Sequence, residues 1–302
     1  NFCLFVCVMC RMLAARFVAG ASEVAGELLG CFAEASRSDP YLAAIAGDGR
    51  HCHGYGYVAA LRRGRAWRLM HERFDAEPVL AGEEACAANL EALDEAVKRL
   101  SGILEAGWDE AAILLHSRRT RGEPRGQVAA HPFREEVTLS TERGAEVSEL
   151  YLSHNGGVEK ARLAELIGLG DSSIYTDSHV FLKYLARRLE GAHYLDAPSA
   201  IASVVAESKP YVKSALDICI LLNVPSAGPM LAAAAYVAGK DDPRRWRYYE
   251  PVLVETEGLA GYVSSTVRDL ARSRGLRLRF VDGRDGFLAV LNPGRLEIRE
   301  LF

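Results

Sequence analysis

The sequence predicts an α+β fold, with several strands and with helices grouped between them. Residues 21–35 and 83–104 repeat apolar side chains at helical spacing, and many short apolar runs bounded by turn residues are typical of strands. The chain has 302 residues, of which 49% are hydrophobic, so it can bury a substantial core. The sequence contains no evident linker, low-complexity segment or internal repeat, and we expect one continuous domain.

The first half of the chain is expected to alternate strands with two long helices. Ser22 is the expected cap of the helix over 21–35, and Gly107 is expected to end the helix over 83–104. The expected strands are residues 10–17, 53–60, 66–70, 111–115 and 149–153. The glycines that flank Tyr55 indicate either a close backbone approach beside a pocket or a bulge at the start of a strand.

The second half is expected to begin with helices and to end with strands. Helices are expected over residues 161–167, 180–189 and 197–207. Strand-like runs follow at residues 216–222, 230–237, 251–255, 261–264, 287–291 and 296–298. Turn sequences such as Asn292-Pro293-Gly294 join these runs.

Charge and composition exclude several classes of partner. The net charge of −4 provides no electrostatic footprint for nucleic acid or for an anionic membrane. No apolar run approaches the roughly 18 residues that a membrane helix needs, and residues 2–9 lack the basic start of a signal peptide. The seven cysteines are an odd number without a pairing rhythm, which favours reduced thiols in a cytoplasmic protein.

Cys10 is the first candidate for chemistry. It follows Met9, and an initiator methionine is usually removed when a small residue comes next. Removal leaves Cys10 with a free α-amine, whose pKa of about 7.7–8.0 lets it accept the thiol proton without a histidine. We therefore expect residues 1–9 to be a leader or a start-site artefact. The alternative is a cysteine buried in an opening strand, where free cysteines are common.

Two cysteine-containing patterns resemble metal sites. Cys3, Cys7 and Cys10 have the C-x3-C-x2-C spacing of the iron–sulfur motif in radical SAM enzymes, which leaves an iron–sulfur protein as a remote alternative. Residues 51–53 (HCH) are adjacent on an expected strand, so at most two of their side chains could converge on a zinc ion. We expect no metal and no cofactor.

A group of polar residues follows the apolar strand over 111–115. Residues 116–122 (HSRRTRG) begin where that strand ends, and polar groups massed at such a point are typical of a functional site. A solvated basic turn is the alternative interpretation.

Two further polar segments lie downstream. The side-chain amide of Asn155 and the backbone N–H of Gly156 are two donors that can be directed at one point, as an oxyanion hole requires. Asn-Gly is also a common turn dipeptide. Asp177 precedes the helix over 180–189 and is either a site residue or the cap of that helix.

Four segments, taken in order, resemble the class II glutamine amidotransferase family. They are Met9-Cys10-Arg11, residues 116–122, His154-Asn155-Gly156 and Thr176-Asp177-Ser178. Gly54-Tyr55-Gly56 and His131-Pro132-Phe133 occupy places where that family carries further motifs. The resemblance covers residues 9–180, is loose in the last third of the chain, and is strongest to the small free-standing members, which have no attached synthase or isomerase domain.

The resemblance implies an N-terminal nucleophile (Ntn) hydrolase fold. That fold is a four-layer αββα sandwich, in which two mostly antiparallel sheets lie between helical layers. Residues 10–302 are expected to form a single glutamine amidotransferase type 2 domain. The implied activity is hydrolysis of glutamine, or of a related γ-glutamyl amide, through a Cys10 thioester that releases ammonia for an unknown acceptor.

The resemblance also implies a role for each site residue. Cys10 attacks the side-chain amide with its own α-amine as base, and Asn155 with Gly156 holds the tetrahedral oxyanion. Arg118 binds the substrate α-carboxylate, for which its planar fork of donors is suited, and Asp177 binds the α-ammonium. Two residues of the 116–122 segment are expected to contribute to substrate binding as well, namely His116 and Thr120.

Some features depart from the family pattern and keep alternatives open. His179 stands where the family often has Glu, and His53 precedes Gly-Tyr-Gly where Asp before Gly-Trp-Gly is common. If residues 1–9 stay attached, the base becomes an amide nitrogen and the mechanism fails. An alternative function is therefore a non-catalytic scaffold that binds an amino acid or a partner synthetase subunit. Neither nucleic acid nor a membrane is an expected partner.

Overall fold

This computed structural model describes residues 9–120, 122–282 and 284–302. The fold is built on two antiparallel sheets. Among these residues the strands are β1 Met9–Val18, β2 Tyr55–Arg63, β3 Ala66–Phe74, β4 Glu110–Arg119, β5 Phe133–Thr141, β6 Gly144–Val158, β7 Val212–Val224, β8 Gly228–Ala235, β9 Val252–Thr256, β10 Leu259–Val263, β11 Arg279–Asp282, β12 Phe287–Asn292 and β13 Arg295–Glu300. The first sheet has the strand order β11-β9-β10-β1-β4-β2-β3, and the second has the order β13-β12-β8-β7-β6-β5.

Helices flank the sheets. In the described part of the chain they are α1 Ser22–Arg37, α2 Pro40–Ala46, α3 Gly82–Leu104, α4 Lys160–Leu166, α5 Asp177–Leu189, α6 Ala197–Ser208, α7 Pro243–Tyr249 and α8 Ser265–Ser273. Short 3₁₀ turns occur at Ala19–Ala21, Gln127–Ala129, Tyr194–Asp196 and Lys209–Tyr211.

Three apolar layers hold these elements together. Leu28 and Phe32 of α1 pack with Leu93 of α3 against one face of the first sheet. The opposite face of that sheet meets the second sheet in a layer that includes Met12, Leu114, Tyr151 and Leu231. The outer face of the second sheet packs against α4, α5 and α6 through residues such as Phe133, Phe181 and Ile201. This arrangement is α+β and is compatible with a sandwich of two sheets between helices.

Most of the expected elements are present, and several ends differ. α1 and α3 match the expected helices, but Ser22 is the first residue of α1, and the cap position belongs to Ala21 without a side-chain hydrogen bond. Asp177 likewise lies inside α5, whose cap is Thr176, with the Thr176 hydroxyl accepting the N–H of His179. Local sequence indicated both helix starts but not the residue whose backbone leaves the helical conformation.

Other elements were missed. They are α2, α7, α8, β5 and β11. The strand expected to stop before His154 continues to Val158 as β6, so the Asn155-Gly156 pair lies within a strand and not in a turn. Pairing with β7 explains the extension, because long-range backbone hydrogen bonds override the turn preference of Asn-Gly.

The expectation that all cysteines are reduced is wrong for one pair. Cys52 and Cys86 form a disulfide with a Cα–Cα distance of 4.8 Å, across 34 residues of chain. The fold places the segment before β2 beside the first turns of α3, and spacing along the chain carries no signal for such proximity. Cys10, Cys31 and Cys219 are buried free thiols.

No helix in the described part of the chain combines the length and the apolar character needed to cross a membrane.

Candidate active site

Cys10 lies near the start of β1, at a point where, among the described residues, that strand is paired on one side only. β4 runs alongside and places Arg118 directly opposite Cys10. On the other side β10 ends at Val263, which pairs with Leu13. The thiol residue therefore occupies a strand segment whose second edge pairs with no strand in the part of the chain that the structure describes.

The backbone of Arg118 shows which way the Cys10 backbone faces. The N–H of Arg118 donates to the Gly54 carbonyl at 2.9 Å, and its carbonyl accepts the N–H of His53 at 2.7 Å. Arg118 thus faces away from β1, and Cys10 and Arg118 form a non-hydrogen-bonded pair. The N–H and the carbonyl of Cys10 consequently point to the open edge.

Two side chains meet the Cys10 backbone at that edge. The N–H of Cys10 donates to Oδ1 of Asn155 at 2.8 Å. The hydroxyl of Tyr248 donates to the Cys10 carbonyl at 3.0 Å. Both main-chain groups of the candidate nucleophile are thereby bound by side chains from distant parts of the chain.

The contact with Cys10 determines the orientation of the Asn155 amide. A backbone N–H can only donate, so the Asn155 atom that faces it is the oxygen, and the amide NH₂ is directed elsewhere as a donor. Asn155 lies on β6 opposite Asp217 of β7, and both side chains are buried. Asn155 therefore binds the nucleophile residue through its oxygen. Burial raises the pKa of Asp217, and a hydrogen bond from Asn155 lowers it.

The two glycines after Asn155 allow a close approach of strands and leave room for Asp177. Gly156 has φ of +142°, and a Cβ added there would lie 1.9 Å from the carbonyl oxygen of Ala215. The register with β7 shifts between Gly156 and Val158. A Cβ at Gly157 would meet Asp177 Oδ2 at 3.5 Å. Only glycine fits the backbone geometry at position 156.

Asp177 is held by backbone N–H groups at the start of α5. Its Oδ2 accepts the N–H of Val158 at 3.0 Å, and its Oδ1 accepts the N–H of Ser178 at 2.6 Å. The carboxylate thus joins the end of β6 to the first turn of the helix, where the helix dipole favours a negative charge.

Arg118 is almost fully buried and only partly hydrogen-bonded. Its Nη1 donates to the carbonyl of Pro124 at 2.8 Å, while its Nε is buried without a hydrogen-bond partner in the described structure. Burial lowers the pKa of Arg118, an effect that the charges of Cys10, Asp177 and Glu123 oppose. A buried guanidinium with an unused donor is suited to bind an anion.

Burial controls the ionisation of the Cys10 thiol. Burial raises its pKa to about 12, although a backbone hydrogen bond from Arg119 and the charge of Arg118 lower it. The charge of the Asp177 carboxylate also raises the pKa of the Cys10 thiol. The thiol is therefore protonated at neutral pH, and a nucleophilic reaction needs a base that removes its proton. The same interactions show that Arg118 and Asp177 both lie within electrostatic range of Cys10.

His116 and Thr120 lie on either side of Arg118 along the chain. Thr120 donates its N–H to Nδ1 of His53 at 3.1 Å, and its hydroxyl is buried without a hydrogen-bond partner among the described residues. His116 stacks on His131 with 4.1 Å between ring centroids, and its Nε2 lies 3.2 Å from the carbonyl oxygen of His154. Burial keeps the pKa of His116 well below its usual range. The described contacts of His116 are with core residues, and its binding role stays a prediction.

Gly56, His179 and His53 each have defined contacts in the structure. A Cβ at Gly56 would lie 2.3 Å from the carbonyl oxygen of His131, which confirms a close backbone approach at this strand. His179 contacts Glu135 Oε1 at 3.0 Å and stacks on Phe133. His53 accepts from Thr120 as described, so it supports the segment that follows Arg118.

A buried ionic cluster lies on the other face of β1 and was missed by sequence reasoning. Arg11 forms an ion pair with Asp39 at 2.5 Å, and Asp39 also contacts His51 Nε2 at 2.7 Å. Burial alone would raise the pKa of Asp39, but the Arg11 charge and the bond from His51 hold it well below its usual range. Arg11 beside the nucleophile was visible in the sequence, but nothing local indicated its partners.

The described residues contain no cluster with the ligands of a metal site. Within the residues that the structure describes, no group of three or more His, Cys, Asp or Glu side chains could hold a metal ion. Cys3 and Cys7 lie outside the described residues. Cys52, the central residue of the 51–53 segment, is bound in the disulfide.

No protein-family model matches this chain, and a search of curated proteins finds no match. The chemical content of the site is a neutral thiol, an amide donor, a buried guanidinium and a carboxylate, gathered around the start of β1.

Proposed function

We propose that this protein is an amidohydrolase of the N-terminal nucleophile type, which hydrolyses glutamine or a related γ-glutamyl amide through a Cys10 thioester. The observation that carries the proposal is the 2.8 Å hydrogen bond from the Cys10 nitrogen to Asn155 Oδ1. It joins the residue proposed as nucleophile and base to the residue proposed to stabilise the oxyanion. The proposal includes the Ntn hydrolase fold, with which two antiparallel sheets and flanking helices are compatible.

Substrate recognition rests on the two charges near the thiol. Arg118 has an unused buried donor that suits the substrate α-carboxylate, and Asp177 suits the α-ammonium. Opposite charges at the two sites select a free amino acid over a residue inside a peptide, because a peptide residue lacks both groups. The side-chain amide of the substrate then extends toward Cys10.

The first chemical step needs a base, because the thiol is protonated. In the proposed active form the Cys10 nitrogen is a free amine with a pKa of about 7.7–8.0, close to the working pH. The amine takes the thiol proton while sulfur bonds to the amide carbon, and the amide oxygen becomes an oxyanion. The NH₂ of Asn155 and the N–H of Gly156 stabilise that oxyanion.

Collapse of the tetrahedral intermediate completes acylation. The carbon–nitrogen bond breaks, and the Cys10 ammonium returns its proton to the departing nitrogen. Ammonia is released, and the γ-glutamyl group stays bound to Cys10 as a thioester. Water then attacks the thioester while the amine accepts a proton from that water. Glutamate leaves and the Cys10 thiol is restored.

A second candidate is a binding protein without catalysis, and one observation favours it. In the described structure Cys10 is fully buried, and Met9 precedes it as a paired residue of β1, so that its nitrogen is an amide. An amide nitrogen is not a base. A chain that keeps the Met9–Cys10 bond would therefore retain the fold and the charged pair without turnover.

The experiment compares protein whose first residue is Cys10, verified by intact mass, with protein that retains the Met9–Cys10 bond. Ammonia release is measured over glutamine, asparagine and several γ-glutamyl amides. We expect release only from the form that begins at Cys10, and loss of release in Cys10→Ala but not in Cys31→Ala. No hydrolysis by the Cys10-first form, or full activity with Met9 attached, would overturn the proposal.

A further inference from the structure

We propose that Tyr248 is a positioning residue, which holds the carbonyl group of Cys10 and thereby sets the direction of the nucleophile. Its hydroxyl donates to the Cys10 carbonyl at 3.0 Å. This inference rests on the proposed function, since it assigns Tyr248 a part in the same reaction.

The position of Tyr248 follows from the open edge of β1. Met12, two residues further along, binds Ser264 through both its N–H, at 2.9 Å to the hydroxyl, and its carbonyl, at 3.1 Å from the Ser264 N–H. Beyond that point no strand of residues 9–120, 122–282 or 284–302 pairs with this edge, and the carbonyl of Cys10 needs another donor. Tyr248 of α7 supplies it.

The phenol of Tyr248 is itself held by Arg11. The Arg11 guanidinium lies 4.2 Å from the centroid of the Tyr248 ring, and its Nη1 donates to the Tyr248 carbonyl at 3.2 Å. The hydroxyl of Ser265 donates to the same carbonyl at 3.2 Å. Arg11 is anchored in turn by its ion pair with Asp39. Arg11 and Ser265 thus hold this buried donor in place.

The functional consequence depends on the free amine. A residue inside a strand is held by peptide bonds on both sides, but a first residue is joined to the chain only through its carbonyl. Rotation about the bond between its Cα and its carbonyl carbon would swing both the amine and the thiol. Asn155 holds the nitrogen and Tyr248 holds the carbonyl, so together they restrain that rotation. A displacement of about 1 Å at a reacting centre can cost 100-fold in rate.

Tyr248→Phe tests this role because it removes one oxygen and keeps the ring under Arg11. In protein that begins at Cys10, we expect kcat to fall about 10-fold or more while KM stays within about 2-fold, because substrate binding uses Arg118 and Asp177. Tyr151→Phe is the matched control, since the buried Tyr151 donates to Glu149 at 3.1 Å and has no described contact with Cys10. Unchanged kcat in Tyr248→Phe, or an effect confined to KM, would overturn the inference.

A second measurement does not depend on turnover. Iodoacetamide labelling, followed residue by residue with mass spectrometry, should be several-fold faster at Cys10 in Tyr248→Phe and unchanged at Cys31 and Cys219. Faster labelling at all three thiols would indicate general loosening, and no change at Cys10 would mean that Tyr248 does not restrain it. Either result contradicts the inference. Because labelling needs no substrate, this arm is decided even if no amide is hydrolysed and the proposed function fails.

Ser265→Ala provides a second variant if Tyr248→Phe does not fold. It removes a hydrogen bond to the Tyr248 carbonyl while the phenol remains. We expect a smaller fall in kcat, of about 2- to 5-fold, again without a change in KM. A change in KM without a fall in kcat would contradict a positioning role.

Discussion

The backbone nitrogen of Cys10 lies 2.8 Å from Oδ1 of Asn155, although 145 residues separate the two along the chain. Cys10 belongs to β1 of the first sheet and Asn155 to β6 of the second, so this hydrogen bond crosses between the sheets. It ties the start of the chain's first described strand to the region where β6 bulges, and five predictions follow from this site and its surroundings.

Removal of the Asn155 side chain should affect chemistry more than binding. We expect Asn155→Ala to lower kcat by about 10²–10³-fold with little change in KM, because the amide donor acts on charge that develops only in the transition state. Asn223→Ala is the control, since Asn223 lies on the neighbouring strand and donates to Glu149. Steady-state ammonia release measures both parameters, and a change in KM alone would contradict the assignment.

Arg118→Lys should weaken recognition of the substrate carboxylate. Lysine keeps a positive charge but loses the planar fork and the bond to the Pro124 carbonyl, so KM for glutamine should rise about 10-fold with a smaller change in kcat. Glutamine amide, which has no α-carboxylate, should be affected much less. Equal effects on the two substrates would show that Arg118 does not bind the carboxylate.

Gly156→Ala should be far more destabilising than Gly144→Ala. Both glycines lie on β6 with positive φ, but a Cβ at Gly144 would meet nothing within 4 Å, whereas one at Gly156 would lie 1.9 Å from the Ala215 oxygen. We expect Gly144→Ala to cost about 1–2 kcal/mol for the backbone conformation alone. Gly156→Ala should lower the free energy of unfolding in urea by several kcal/mol more. Similar losses in both variants would contradict the close approach.

Acid should destabilise the protein from about pH 6.5 downward. Burial lowers the pKa of His51, His116, His131 and His154 in the folded state, and for His116 and His131 it lies well below the usual value. Below its histidine pKa of about 6.5 the unfolded state binds more protons, so the free energy of unfolding falls with pH until the folded-state pKa is reached, by about 1.4 kcal/mol per pH unit for each of His116 and His131.

His131→Phe provides the check on that pH dependence. Both ring nitrogens of His131 are buried without hydrogen-bond partners in the described structure, and the ring packs against His116 and Phe133. Phenylalanine can fill the same space, so stability at pH 8 should be kept or improved. The slope of unfolding free energy between pH 6 and pH 5 should fall by about 1.4 kcal/mol per pH unit. An unchanged slope would mean that His131 does not contribute.

Loss of the Cys52–Cys86 disulfide should make the protein less stable than its oxidised form. The bond closes a segment of 34 residues, for which chain entropy gives about 3–4 kcal/mol of stabilisation. The double variant Cys52→Ala/Cys86→Ala should therefore unfold at lower temperature than wild type under oxidising conditions. With dithiothreitol, the unfolding temperature of wild type should approach that of the double variant. Dithiothreitol should lower the unfolding temperature of Cys31→Ala as much as that of wild type. No effect of dithiothreitol on wild type would contradict a stabilising disulfide.

Much of the secondary structure could be predicted because its signals are local. The helical spacing in α1 and α3 and the apolar runs of β4 and β7 are properties of neighbouring residues. Short elements such as α2 and α7, each of seven residues, carry too few periods to be recognised. β5 was missed although its burial alternates, because its outer face is polar and its inner face includes the polar residues Glu135 and Thr141.

The candidate site was predictable in its members but not in its connections. Cys10, Arg118, Asn155 and Asp177 could be selected from residue type and order, and the structure gathers them around the start of β1. Tyr248 and Asp39 could not be selected, because α7 and the segment before α2 carry no pattern that relates them to Cys10, and nothing beside Arg11 in the sequence indicated its partners.

The sequence by itself determined the fold class, the order of most elements and the residue types able to perform thiol chemistry, since each depends on periodicity or on the identity of single side chains. Only the tertiary structure decided which side chains meet the Cys10 backbone, that Asn-Gly lies in a bulged strand and not in a turn, and that Cys52 reaches Cys86. These features depend on cross-strand register and on packing between layers. Such contacts join residues far apart in the chain, and no local pattern of residues encodes them.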